Sequence, residues 1–205
     1  LRWVWGMRAL RTFSYFFSNC KGGNLPKIDR FGQAAILEPE DWEKLYWHGF
    51  QSQKARALFG VCRYTGCRIS EACQLLRRDV GSKVITFRCH TTKGKIATRQ
   101  VPVHPNLKKL LKAYKPGELW FFPGNEGNFL SPKTADRWLR QACDRVGLQG
   151  ISTHSFRRTA LTEMAASGIP LHVIQNISGH RDLKVLSRYL ECSDSDKNSA
   201  IGALS

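Results

Sequence analysis

Four residues in one short stretch carry side chains suited to phosphate chemistry: His154, Arg157, His180 and Tyr189. The stretch opens with His154-Ser155-Phe156-Arg157, turns at Gly168-Ile169-Pro170, and closes through Ser178-Gly179-His180 and Ser187-Arg188-Tyr189. Arg68 and Lys93 lie upstream. Together these are the parts needed to open a phosphodiester by attack of a phenol. Guanidinium forks suit bidentate contact with phosphate oxygens and do not deprotonate. Further preorganised donors, such as imidazoles, are usually the largest catalytic contribution. A free phenol has a pKa of about 10, so only ~0.1% is ionised at pH 7, and cations and a base must assist it. The departing oxygen needs a proton, which a lysine can deliver.

The charge of the chain points the same way. Its 205 residues contain 32 Lys plus Arg against 16 Asp plus Glu, a net charge of +16. Between Lys54 and Lys115 there are 15 basic residues and only two acids, Glu71 and Asp79. Solubility does not require such single-sign clustering, and a polyanion is the expected partner. Nucleic acid is favoured over a membrane surface, because no basic amphipathic helix accompanies the charge and no apolar run approaches the ~20 residues of a span. The seven cysteines include no Cys-x-x-Cys, so neither a disulfide framework nor a zinc cluster is indicated. A reducing, cytoplasmic setting follows.

The elements that must position these side chains are mostly helical. Residues 1–35 read as an aromatic and basic arm with a Gly22-Gly23 linker. Glu38-Pro39-Glu40-Asp41 starts one helix, and Ala55, Leu58, Phe59 and Cys62 stripe a second that stops at Thr65-Gly66. Ser70 is a candidate cap for a third. Val84–Phe87 and Thr98–Val103 are β-branched runs flanking Lys93-Gly94-Lys95, which predicts a small antiparallel hairpin. A Lys-rich helix begins at Pro105, and another runs from Pro132, capped by Ser131, to Gly147. Three short helices fill 153–190, with Asp182 capping the last. His154 and Arg157, three apart at a helix N-terminus, face one side where free N–H groups already favour an anion.

Arranged in this order, the motifs resemble those of the tyrosine recombinases, the phage integrase family. Thr65-Gly66-Cys67-Arg68-Ile69-Ser70-Glu71 is similar to the family's Gly-x-Arg-x-x-Glu box, and His154-Ser155-Phe156-Arg157 to its His-x-x-Arg box. Ser178-Gly179-His180 followed by Tyr189 has its Gly-His…Tyr spacing, and Thr92-Lys93-Gly94-Lys95 resembles its catalytic-lysine turn. The resemblance implies an α+β, mainly α-helical catalytic fold over residues 36–192, with a tail at 193–205. It implies a DNA strand transferase of the type IB topoisomerase-like kind, forming a 3′-phosphotyrosyl intermediate without metal, ATP or other cofactor. Arg68 and Arg157 would clamp the phosphate. His154 and His180 would donate to it, and His154 could also help deprotonate the nucleophile. Tyr189 would attack, Lys93 would protonate the leaving oxygen, and Glu71 would orient the site. The implied partner is double-stranded DNA, bound by a homotetramer that is monomeric when free, within the nucleoid. Arg63, Arg77, Arg78, Lys95, Arg99 and Arg158 are the expected DNA contacts.

Each residue has a plainer reading: Tyr189 alone is an ordinary core or surface tyrosine, His180 alone a helix cap, and Lys95 shares its turn with Lys93. The competing function is a non-catalytic helix-turn-helix DNA binder, or an inactive recombinase remnant, built on the helices either side of Gly168. It accounts for the charge but not for Arg68, His180 and Tyr189 at family spacing. Two departures stand out. Ser178 occupies a position that is commonly apolar, with an expected modest loss of packing, and Arg158 replaces a frequent second histidine. The segment before Leu37 is also too short for the upstream helical domain of about 100 residues that family members carry. The chain is therefore expected to be a fragment, or a shortened protein with weak DNA affinity.

Overall fold

A computed structural model describes residues 34–89, 97–186 and 202. Helix α1 (Pro39–Lys44) has Pro39 in its first turn and widens into one π-turn over Leu45–Gly49, where Phe50 N donates to Leu45 O at 2.7 Å. The sequence pattern does not show this widening. It brings Gly49 so close to α5 (Pro132–Val146) that a Cβ there would stand 3.2 Å from that of Ala142.

Helix α2 (Gln53–Thr65) is the axis of the molecule. Ser52 caps it by accepting from Ala55 N, and Ala57, Leu58, Phe59, Val61 and Cys62 are fully buried along it. Phe59 stacks on Phe50 and tilts against Phe156 of α6 (Thr153–Ala166), while Trp42 meets Phe156 edge-on. Aromatic pairs of this kind add to the stabilisation from burial alone. Gly60 admits α4 (Pro105–Lys112) on another face, where a Cβ would clash with Leu110.

The chain leaves α2 through Gly66 at φ 62°, a left-handed cap conformation, and enters the short α3 (Ile69–Cys73). Arg68, not Ser70, is the residue that caps α3. Ser70 lies inside the helix, because the Glu71 carboxylate already takes the Arg68 N–H. β1 (Val84–Phe87) and β2 (Arg99–Pro102) pair antiparallel, with Phe87 opposite Arg99 and Ile85 opposite Val101. Ile85, Phe87 and Val101 point into the core. The hairpin expectation holds for both strands; Lys93 and Lys95, between them in the sequence, lie outside the described residues.

α5 starts and ends as its sequence indicates, with Ser131 accepting from Thr134 N and Gly147 in the left-handed cap. α6 is followed by α7 (Leu171–Ser178) and α8 (Leu183–Leu186), where Lys184 N donates to Asp182. Leu161, Ile174 and Leu186 form a small apolar cluster of their own. Among the described residues the fold is thus mainly helical with one two-stranded sheet.

Candidate active site

Arg68 stands two residues beyond Gly66, so the left-handed turn that ends α2 sets where its side chain emerges. Glu71, one turn into α3 and fully buried, accepts from Arg68 N at 3.0 Å and from Arg68 Nη1 at 3.1 Å. Its Oε2 also accepts from Arg99 Nη2 at 2.6 Å. Burial alone would raise the Glu71 carboxyl. The bond and charge of Arg99, the Arg68 N–H and the charge of Arg157 outweigh it, so Glu71 titrates below the usual carboxylate range.

Arg157 projects from the first turns of α6 into the same space. It is only 5% exposed. Nη1 donates to Gly66 O at 2.7 Å, and Nη2 lies 3.0 Å from Nε2 and 3.2 Å from Nδ1 of His180. Burial, and then the like charges of Arg68 and Arg99, push its guanidinium down to about 10. A buried cation is expected to sit on a carboxylate or another anion. Among the described residues Arg157 hydrogen-bonds only a carbonyl and an imidazole.

His180 is delivered by the end of α7. Gly179, at φ 67°, turns the chain so that the ring folds back towards the helix. Ser178 Oγ is 2.8 Å from Nδ1, so the expectation that Ser178 merely loosens packing is corrected: it is fully buried against the ring it precedes. Burial, followed by repulsion from Arg157, Arg68 and Arg99, lowers His180 to about 4. The ring is neutral at pH 7. His154 lies exposed in the first turn of α6.

Arg68, Glu71, Arg157 and His180, spread over more than a hundred positions, therefore occupy one site, and Tyr189 lies outside the described residues. Arg99 joins them unexpectedly. Its fork reaches Glu71 and its Nε donates to Ile177 O at 2.9 Å, with the guanidinium 4.6 Å from the centre of the Phe87 ring. The Phe87 pairing that turns Arg99 inward, opposite a buried strand residue, is the signal that its sequence position offered. Arg99 is thus committed inside the protein and not presented to DNA. Arg63 is likewise committed, with both its terminal nitrogens on Glu163 at 2.8 and 2.6 Å. Arg158 donates to Ala34 O. Arg77 and Arg78 are exposed, as a phosphate contact requires.

His104 caps α4 by accepting from Asn106 N and stacks on Tyr64. Among the described residues no group of three or more His, Cys, Asp or Glu is arranged to hold a metal, and no helix is long and apolar enough to cross a membrane. The five described cysteines are free thiols.

Solved structures of site-specific recombinases share this fold. The XerA recombinase superposes with a TM-score of 0.67 at 22% identity over 82% of this chain and 64% of its own. The XerH recombinase bound to its difH substrate gives 0.66 at 19% identity over 86% of this chain and 56% of its own. The model of the phage integrase family matches residues 36–196. The chain belongs to the phage integrase family. Among curated relatives, the tyrosine recombinase XerC of Rhodospirillum centenum is 33% identical over 153 residues, 71% of this chain and 43% of its own. A tyrosine recombinase of Thermosipho africanus is 31% identical over 156 residues, 74% of this chain and 54% of its own. The chain spans about half the length of the curated relatives it matches.

Proposed function

We propose that this chain carries the catalytic domain of a site-specific DNA recombinase that cuts and rejoins strands through a 3′-phosphotyrosyl intermediate. One observation carries the reading: among the described residues, Arg157 is a buried guanidinium with no carboxylate hydrogen-bonded to it, beside Arg68 and a neutral His180. Three arginines and one carboxylate leave the site short of negative charge. A phosphodiester, and still more the phosphorane formed from it, supplies that charge.

In this reading Arg68 and Arg157 clamp the non-bridging oxygens and His154 and His180 donate to them. Tyr189 attacks phosphorus as its phenol proton passes to His154 and the bond to the 5′-oxygen breaks, and Lys93 gives that oxygen its proton. Because the ester on Tyr189 retains the bond energy, a second 5′-hydroxyl can reverse the step without ATP or metal. Glu71, held from two sides, keeps Arg68 in place. The substrate is double-stranded DNA, and exchange between two sites calls for four copies on the DNA and a monomer when free. Relatives named as tyrosine recombinases and integrases, and the DNA-bound XerH structure of the same fold, support the substrate class.

The test is a denaturing gel of the chain with duplexes carrying a strand nick inside a randomised window. A protein-linked DNA band is expected, and it should vanish in Tyr189→Phe while DNA binding persists. No band, as a non-catalytic DNA binder would give, or a band that survives Tyr189→Phe, overturns the reading.

A further inference from the structure

Ser178 ends α7 with its side chain fully buried, and its Oγ has two neighbours: His180 Nδ1 at 2.8 Å and Gln175 O at 3.3 Å. Arg157 Nη2 lies against the ring between its nitrogens, 3.0 Å from Nε2 and 3.2 Å from Nδ1. A guanidinium can only donate and a carbonyl can only accept. With the Ser178 hydroxyl proton on Gln175 O, Ser178 Oγ is left to accept Nδ1–H, and Nε2 keeps the ring's lone pair. Each proton has an acceptor. The other neutral form would turn the hydroxyl proton to Nδ1 and take it from Gln175 O.

We propose that Ser178 is a positioning residue for His180: its Oγ holds the Nδ1–H, which makes Nε2 the nitrogen that faces the reacting phosphate. The role rests on the recombinase reading of the site; the proton arrangement does not. Among the described residues, charged groups facing the ring include Arg157 from α6, Arg68 at the start of α3, Arg99 from β2 and the Glu71 carboxylate. Burial, and then three cations against one anion, keep the resting ring neutral. A bound phosphate offsets that excess of positive charge and takes over the Arg157 fork. Nε2 then accepts a proton from solvent and donates it as a hydrogen bond to a non-bridging oxygen, while Nδ1–H stays on Ser178. Only a side chain that accepts at Nδ1 can hold both the neutral ring and the imidazolium. An apolar residue at position 178 would leave a buried N–H without that acceptor, which is costly.

The experiment is nitrogen NMR of the full chain with labelled histidine, the His180 signals being those missing from His180→Gln. At pH 7 the unaltered chain should show His180 protonated on Nδ1. Ser178→Ala suits a helix end and removes only the hydroxyl, so circular dichroism should be unchanged. It should move the tautomer ratio towards Nε2–H by about tenfold, the equivalent of one hydrogen bond. With saturating inorganic phosphate the His180 midpoint should rise in the unaltered chain and rise less in Ser178→Ala. An Nε2–H form in the unaltered chain, unchanged nitrogen shifts in Ser178→Ala, or equal midpoints would each overturn the proposal. Adduct yield on the nicked duplexes separates the two claims. Ser178-dependent shifts without any adduct sink the recombinase reading alone, and an adduct with Ser178-independent shifts sinks the Ser178 assignment alone.

Discussion

Arg99 and Glu71, 28 residues apart in sequence, meet at 2.6 Å in the interior, and through that contact strand β2 holds the carboxylate on which Arg68 also rests. The same guanidinium reaches the carbonyl of Ile177, three residues before His180. One buried side chain thus ties the α3 end of the site to its α7 end.

Breaking that tie from the carboxylate side leaves Arg99 buried and uncompensated. Glu71→Ala should therefore destabilise the chain by about 3–5 kcal/mol, the range for removing one partner of a buried ion pair. Urea denaturation measures it. A loss below about 1 kcal/mol would mean that water reaches Arg99 and screens it as it screens a surface pair.

The stability of the fold should fall in acid across a defined window. His180 is lowered to about 4, while an unfolded histidine titrates near ~6.5. Between those values the unfolded chain binds a proton that the folded ring refuses, so stability declines as pH drops from ~6.5 towards 4 and this contribution is flat outside that range. His180→Gln should remove that part of the slope. Chemical denaturation of both chains at several pH values checks it, and parallel curves would contradict it.

Gly66 and Gly179 both have positive φ, yet their replacement by alanine should differ. Either change places a Cβ in the left-handed region, at a cost of about 1–2 kcal/mol. At Gly66 the new carbon would meet Ala160 and Leu161 at ordinary distances of 3.5 and 3.6 Å. At Gly179 it would stand 3.0 Å from Arg99 Nη1 and 3.3 Å from its Cζ, so Arg99 must give by a few tenths of an ångström while held by its two acceptors. Gly179→Ala should accordingly lose more stability and also more adduct formation. Equal behaviour of the two variants in melting and adduct assays would rule this out.

DNA affinity should fall steeply with salt, and the arginines should divide by their surroundings. Exposed Arg77 and Arg78 are available to phosphate, so each alanine variant should flatten the log affinity against log salt slope by about 0.9. Arg63, bidentate on Glu163, should change stability and leave the slope alone. Filter binding of a random duplex across salt concentrations distinguishes them. A slope reduced by Arg63→Ala would place that side chain at the DNA.

Much of this architecture is legible in the linear chain, because helix ends and strand alternation are local. Ser131-Pro132 and Gly147 bound α5, and Asp182 caps α8, through contacts within a few residues. The motif residues Arg68, Glu71, Arg157 and His180 could likewise be picked out by type and spacing. What their side chains do is another matter. Arg63, Arg77 and Arg99 are equally basic in the sequence. Only packing makes one the partner of Glu163, one exposed and one the buried brace of Glu71, since a guanidinium's role depends on which carboxylate or carbonyl the fold brings within 3 Å of it. Ser178 is the sharpest instance. A serine before Gly-His looks like a packing defect until the left-handed turn at Gly179 folds the imidazole back onto its hydroxyl. Residue type supplies the donors and acceptors; distance and burial, which belong to the folded chain alone, decide which of them meet.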